Sequence, residues 1–304
     1  MKIGFFADLH AKISTPRCRT DDYFTTIKKK FYEIIDITNV EGCDIVVQAG
    51  DFFDDHKQPY HLTNWFLETI QGCWACSRIF GVAGQHDMVN HALTANTPFQ
   101  TMVHSGSITL LGAAPFHFPG KNVNDKDVHI YGQSWGEETP KILRPEFFNV
   151  LVIHETLVQN KIWEGQKNPK FAIDFLKNNK FDLIICGDNH KPFIETYRGR
   201  TLVMCGSVAR LSVDQHKHKP RVWIYDTTKR DLREFFLSIE KGVISNEEHK
   251  ERRSNERSLE EFRRSLDTKL IQQSYLSRVV AGTKKIKDKS VVKEISSIIQ
   301  TVTQ

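Results

Sequence analysis

No apolar run in these 304 residues approaches the roughly 18 needed to span a bilayer, so no membrane-spanning helix is expected. The N-terminal stretch MKIGFFADLH reaches an acid and a histidine too early for a signal peptide, which makes the cytoplasm the expected compartment. Cysteine is scarce: the six residues at 18, 43, 73, 76, 186 and 205 are scattered, several of them in apolar runs, as reduced buried thiols are. Cys73 and Cys76 form a lone CxxC with no second ligand pair nearby, so neither a disulfide framework nor a structural zinc site is expected. Internal repeats and low-complexity tracts are also lacking, which removes solenoids and linker-rich architectures.

What is present divides unevenly. Residues 241–304 carry 14 Lys+Arg against 9 Asp+Glu, and this accounts for the whole formal surplus of +5. From about 245 to 280 the chain contains no Gly or Pro and has a thin apolar stripe among mixed charges, a helical pattern. The basic GTKKIKDKS and the apolar-striped VVKEISSIIQTV follow. Two parts are therefore expected: a main domain over 1–240 and a basic helical tail over 241–304 that caps the domain or binds a partner.

Before residue 240 short β-branched and aromatic runs follow one another: KIGFFA, CDIVVQA, RIFGVA, SITLLG, DVHIYG, NVLVIH, FDLIIC, RTLVMC, PRVWIYD and LREFFLSI. Some are apolar throughout, as strands covered on both faces are. Helical patterns alternate with the early ones, in DDYFTTIKKKFYEIIDITN and PYHLTNWFLETIQGC. An α/β domain is expected, with about ten strands more comfortable in two packed sheets than in one.

Five of these strands end in the same chemistry. KIGFFA runs into Asp8 and His10, CDIVVQA into Gly50, Asp51 and Asp54, RIFGVA into Gly84, Gln85, His86 and Asp87, NVLVI into His154, and DLIIC into Asp188 and His190. Asp, Asn and Gly form turns, so any one of these ends has an ordinary explanation. Five together, at the carboxyl ends where α/β proteins build their sites, point to one centre. Oxygen and imidazole donors without thiolate suit Mn²⁺, Fe²⁺ or Zn²⁺. So many donors suit two ions rather than one, an arrangement that activates water and clamps a phosphoryl group, with His86 left to protonate the leaving oxygen or to stabilise the charge on a phosphate bound across the metals.

In order and spacing, DLH, GDFFD, GQHD, the isolated His154 and GDNH resemble the signature motifs of the calcineurin-like metallophosphoesterases, usually DxH, GDxxD, GNH[DE], H and GHxH. The resemblance covers about residues 1–240 and implies a fold of two mixed sheets sandwiched between helices, four layers in all. It implies one metal held by Asp8, His10, Asp51 and His190, and a second by the shared Asp51 with Gln85, His154 and Asp188. His86 matches the catalytic histidine, and Asp54 the carboxylate that orients it in the phosphatase branch, with His56 as a substitute. Gln85 replaces the usual asparagine and Asp188 the usual histidine; both changes fall on the second metal, each as a ligand swap or a lost contact.

The early spacing and the stretch CGSVARLSVDQHKHKPRVWIYDTT are most similar to the SbcD-type exonuclease subunits of DNA double-strand-break repair and their bacteriophage relatives. That similarity implies a Mn²⁺-type DNA exo- or endonuclease in a bacterial cytoplasm, or in a host's for a phage-encoded chain. Its implied partners are DNA, an SbcC-type coiled-coil ATPase and, in a homodimer, a second copy of the chain. A stand-alone phosphatase or small phosphodiesterase, and a non-catalytic scaffold of the same fold, are the alternatives.

Overall fold

The computed structural model describes residues 1–73, 79–122, 125–160, 169–245 and positions 293, 295 and 297. The chain divides into two compact units, Met1–Ser245 and Asn246–Gln304. In the second, Lys293, Ile295 and Ser297 are helical; the helical tail expected over 245–280 and its basic linker lie outside the described residues.

The first unit is built on two six-stranded mixed sheets. One runs in the order β14 (Asp231–Phe236), β13 (Arg221–Asp226), β1 (Lys2–Phe6), β2 (Ile45–Ala49), β3 (Ile79–Val82) and β4 (Ile108–Leu110). The other runs β11 (Phe193–Tyr197), β12 (Arg200–Met204), β10 (Leu183–Gly187), β7 (Phe148–His154), β6 (Val128–Gln133) and β5 (Phe116–Phe118). A two-stranded ribbon of β8 (Leu157–Val158) and β9 (Lys170–Phe171) stands apart. Strands β1 to β4 are parallel, as are β6, β7, β10 and β12, so the carboxyl ends within each set lie along one edge.

Side-chain alternation sorts the apolar residues into layers. All seven residues of β7 are buried: Val150 and Val152 face the space between the sheets, while Leu151 and Ile153 face the outer layer. This is why the strand reads as one unbroken apolar run. Ile3, Phe5, Val47, Val82, Ile130, Val152 and Ile185 fill the space between the sheets. Helix α1 (Tyr23–Val40) covers the first sheet with α2 (Tyr60–Cys73) and α3 (Pro98–His104), burying Ile27, Phe31, Ile34 and Ile35 at helical spacing against Phe52 and Phe66. Asp22 caps α1 by accepting from Phe24 N and Thr25 N at 3.1 and 3.3 Å. Helix α4 (Ala172–Asn178) covers the second sheet through Ala172 and Leu176. The outcome is the four layers the sequence led us to expect, with the motif-bearing strand ends on the rim between the sheets. No helix among the described residues is long and apolar enough to cross a membrane.

Candidate two-metal centre

The motif loops after β1, β2 and β10 leave their strands by sharp turns. Asp8, His10, Asp51 and Asp188 all take positive φ, at 52°, 46°, 51° and 84°. Backbone of this kind costs about 1–3 kcal/mol per residue and persists where surrounding structure imposes it. Here a main-chain lattice does so: Asp8 N, His10 N and Ala11 N donate to Gly50 O, Asp51 O and Phe52 O at 3.1, 3.0 and 2.9 Å. The glycines are there for space. A Cβ on Gly84 would stand 2.1 Å from Asp51 Oδ1, and one on Gly50 2.1 Å from His154 Nδ1.

Three interlocking triads of donor atoms result, each with its atoms within 4.8 Å: Asp8, His10 and His190; His10, Asp51 and His86; Asp8, Asp51 and His154. Asp8, His10, Asp51 and His154 are buried, His190 is partly exposed and His86 is exposed. Second partners fix the imidazoles. His154 Nδ1 donates to Ala49 O at 2.7 Å, which turns Nε2 inward, where it faces Asp51 Oδ2 at 3.3 Å and has no hydrogen-bond partner. His10 Nε2 faces His190 Nε2 at 3.1 Å, with its Nδ1 backed by Asp54 Oδ1 at 3.3 Å.

The electrostatics are those of a site built around positive charge. Burial lifts the Asp8 carboxyl to about 7, with the Asp51 charge adding to it against the pull of His154 and His10. Burial depresses His154, but the Asp51 and Asp8 charges outweigh it and carry the ring to about 10. Burial and the His10 charge together hold His190 down to about 4. Protons on these groups do the work that a cation does better. An inward-facing His154 Nε2 without a partner, two imidazole nitrogens nose to nose, and a buried Gln85 Oε1 bonded to nothing fit divalent ions with mixed oxygen and nitrogen coordination.

All seven residues expected as ligands are brought to this rim, but two details differ from the expectation. Asp54 does not meet His86 through its carboxylate. His86 Nδ1 donates to the Asp54 main-chain carbonyl at 2.7 Å, while the Asp54 carboxylate lies against His10 Nδ1 and accepts from Lys12 Nζ at 2.9 Å. Burial raises the Asp54 carboxyl, yet these two cationic neighbours outweigh it and take it down to about 2, so it stays an anion that orients His10. The substitute, His56, pairs with Asp55 at 3.1 Å and lines a separate cavity of about 260 Å³ beside Tyr60, Asn64 and Thr97.

Asp87 has a role that sequence reasoning missed. Its fully buried carboxylate accepts from Phe53 N, Gly84 N and Phe52 N at 2.9, 3.0 and 3.2 Å, tying the loop after β2 to the loop after β3. Thr156 was missed too; its hydroxyl donates to Asp188 Oδ2. Sequence held no signal for Thr156 beyond its place two residues after His154.

Residues 1–192 match the calcineurin-like phosphoesterase family, and the chain belongs to it. It is a metal-dependent phosphoesterase of that family, whose members typically bind two divalent metals, and the triads supply the donors for such ions. No curated protein matches the chain. Among solved structures it is similar to an archaeal phosphodiesterase, at 16% identity over 78% of this chain and 100% of that one, with a TM-score of 0.41. A Thermus thermophilus protein is similar at 10% identity over 78% and 99% of the two chains, with a TM-score of 0.49. Vps29 from Entamoeba histolytica is similar at 11% identity over 81% and 96%, with a TM-score of 0.37.

Proposed function

We propose that the chain is a Mn²⁺-type DNA nuclease, an exo- or endonuclease subunit that works with an SbcC-type coiled-coil ATPase in DNA repair or recombination. Asp8, His10, Asp51 and His190 would hold one ion, and Asp51, Gln85, His154 and Asp188 would serve the other; two such ions would supply an activated water and neutralise charge on the phosphoryl group. His86 handles the leaving oxygen. Because a carbonyl only accepts, the bond to Asp54 O places a hydrogen on Nδ1 and leaves Nε2 as the atom that carries the exchangeable proton. From the exposed rim, 4.0 Å from Asp51 Oδ2, protonated Nε2 reaches an oxygen departing from a phosphodiester at the cluster.

One observation carries the choice of DNA over a small ester. The segment leaving β12 begins at the cluster, where Ser207 N donates to His190 O and Val208 N to Asp8 O, each at 3.3 Å. From there to residue 221 it bears Arg210, Lys217, Lys219 and Arg221, the last paired with Glu234 of β14, against the single acid Asp214 within the segment. A cationic strip starting at the reaction centre suits a polyanion that extends beyond the scissile phosphate.

The test is parallel hydrolysis of linear duplex DNA and a nitrophenyl phosphate ester by purified protein with Mn²⁺, with and without the ATPase. Cleavage of DNA that needs Mn²⁺, falls as salt rises and is stimulated by the ATPase with ATP is the expected result. Rapid turnover of the small ester with intact DNA would assign the chain to the phosphatase branch.

A further inference from the structure

The two departures from the usual motif meet in space. Gln85 Nε2 donates to Asp188 Oδ1 at 2.7 Å, and the other oxygen of the same carboxylate takes the Thr156 hydroxyl. A carboxylate only accepts, so the amide must turn its NH₂ toward Asp188. The Gln85 carbonyl is thereby fixed on the other branch, where Oε1 is buried without a partner. Asp188 is itself anchored, with φ at 84° and its N–H shared between Asp8 Oδ1 and Oδ2 at 3.1 and 3.2 Å.

We propose that Asp188 and Thr156 are positioning residues that act through Gln85, aiming its Oε1 at the second ion, and that Asp188 is not an independent ligand. This rests on the two-ion reading given above. A glutamine has one more rotor than the usual asparagine and reaches one methylene further, so its carbonyl needs an outside constraint to be a defined donor. An imidazole at 188 offers one nitrogen acceptor at most and cannot accept from both an amide and a hydroxyl; a carboxylate accepts from both. The glutamine and the aspartate are thus two halves of one change, and Thr156 completes the clamp. His154 takes its place from Ala49 O through Nδ1, while its Nε2 stands 3.8 Å from Asp188 Oδ1.

A double-mutant cycle on Mn²⁺ affinity tests this, read by calorimetric titration of metal-free protein. Asp188→Ala and Gln85→Ala are each expected to weaken the second ion by about 10–100-fold and leave the first unchanged, as loss of outer-sphere or ligand groups does. The double variant is expected to be no weaker than the worse single one, because on this proposal Asp188 acts on the ion through Gln85 and not by ligation from its place 3.8 Å from His154 Nε2. Thr156→Val is expected to weaken the second ion, and to have no effect once Gln85 is alanine. Gln85→Asn with Asp188→His, the usual pair of the family, is expected to bind two ions, which keeps the test open if an alanine variant fails to fold. Losses that multiply in the double variant would make Asp188 a ligand in its own right and overturn the proposal alone. A wild-type protein that takes up a single ion would remove the two-ion reading, and the proposal with it.

Discussion

His86→Ala is expected to lower hydrolysis by about two to four orders of magnitude while metal content and melting temperature stay at wild-type values. The ring is 44% exposed, its one hydrogen bond goes to a main-chain carbonyl, and it meets His10 edge-on at 4.9 Å, so little packing is lost with it. What goes is the proton at Nε2. Steady-state kinetics, metal analysis and a thermal melt on one preparation check this. The outcome has two sides, because His86 also falls in a triad with His10 and Asp51. Loss of both ions in the variant would make His86 a ligand and leave the leaving group without an acid.

The next residue should behave in the opposite way. Asp87→Ala is expected to unfold the protein at lower temperature, because it strands the N–H groups of Phe52, Phe53 and Gly84 in a fully buried setting. Each stranded donor costs about 1–3 kcal/mol. Part of that is returned, since burial, with the charge of Asp51, already lifts the Asp87 carboxyl to about 7. A net loss of about 3 kcal/mol is expected, or about 6–12 °C in a unit of this size, from the same balance of donors and buried charge. Activity should fall as well, because His86 N donates to Asp51 Oδ1 at 3.0 Å and both loops depend on the clamp. A wild-type melting temperature with activity lost would give Asp87 a part in the chemistry instead. Gln85, His86 and Asp87 are consecutive, yet in the proposed mechanism the first offers a carbonyl to an ion and the second handles a proton, while the third holds two loops together.

The strands most legible in the sequence were those covered on both faces, such as β2, β7 and β10, and their polar ends located the centre because side chains at parallel carboxyl ends converge on one rim. Helices α1 and α2 were legible from 3.6-residue spacing. Strands β5 and β11 were not: FHF and FIETY lie at sheet edges with partly exposed side chains, and neither run stands out as apolar. The short α3 and α4, seven residues each, hold too few turns for a period to emerge. The resemblance tied Asp54 to His86 alone, whereas its carboxylate lies against His10 and its main-chain carbonyl takes His86. Likewise, Gln85 and Asp188, 103 positions apart, read as two departures on the same metal, and their 2.7 Å contact makes them one pair.

Titration of Mn²⁺ into metal-free wild-type protein is the most direct test of the centre. Three shared triads, with complete donors on the His190 side and Gln85 and Asp188 in place of the usual asparagine and histidine on the His154 side, should give two binding steps of unequal affinity, with Mn²⁺ preferred over Zn²⁺ in the weaker one. A single step, or equal and tight uptake of two zinc ions, would contradict it.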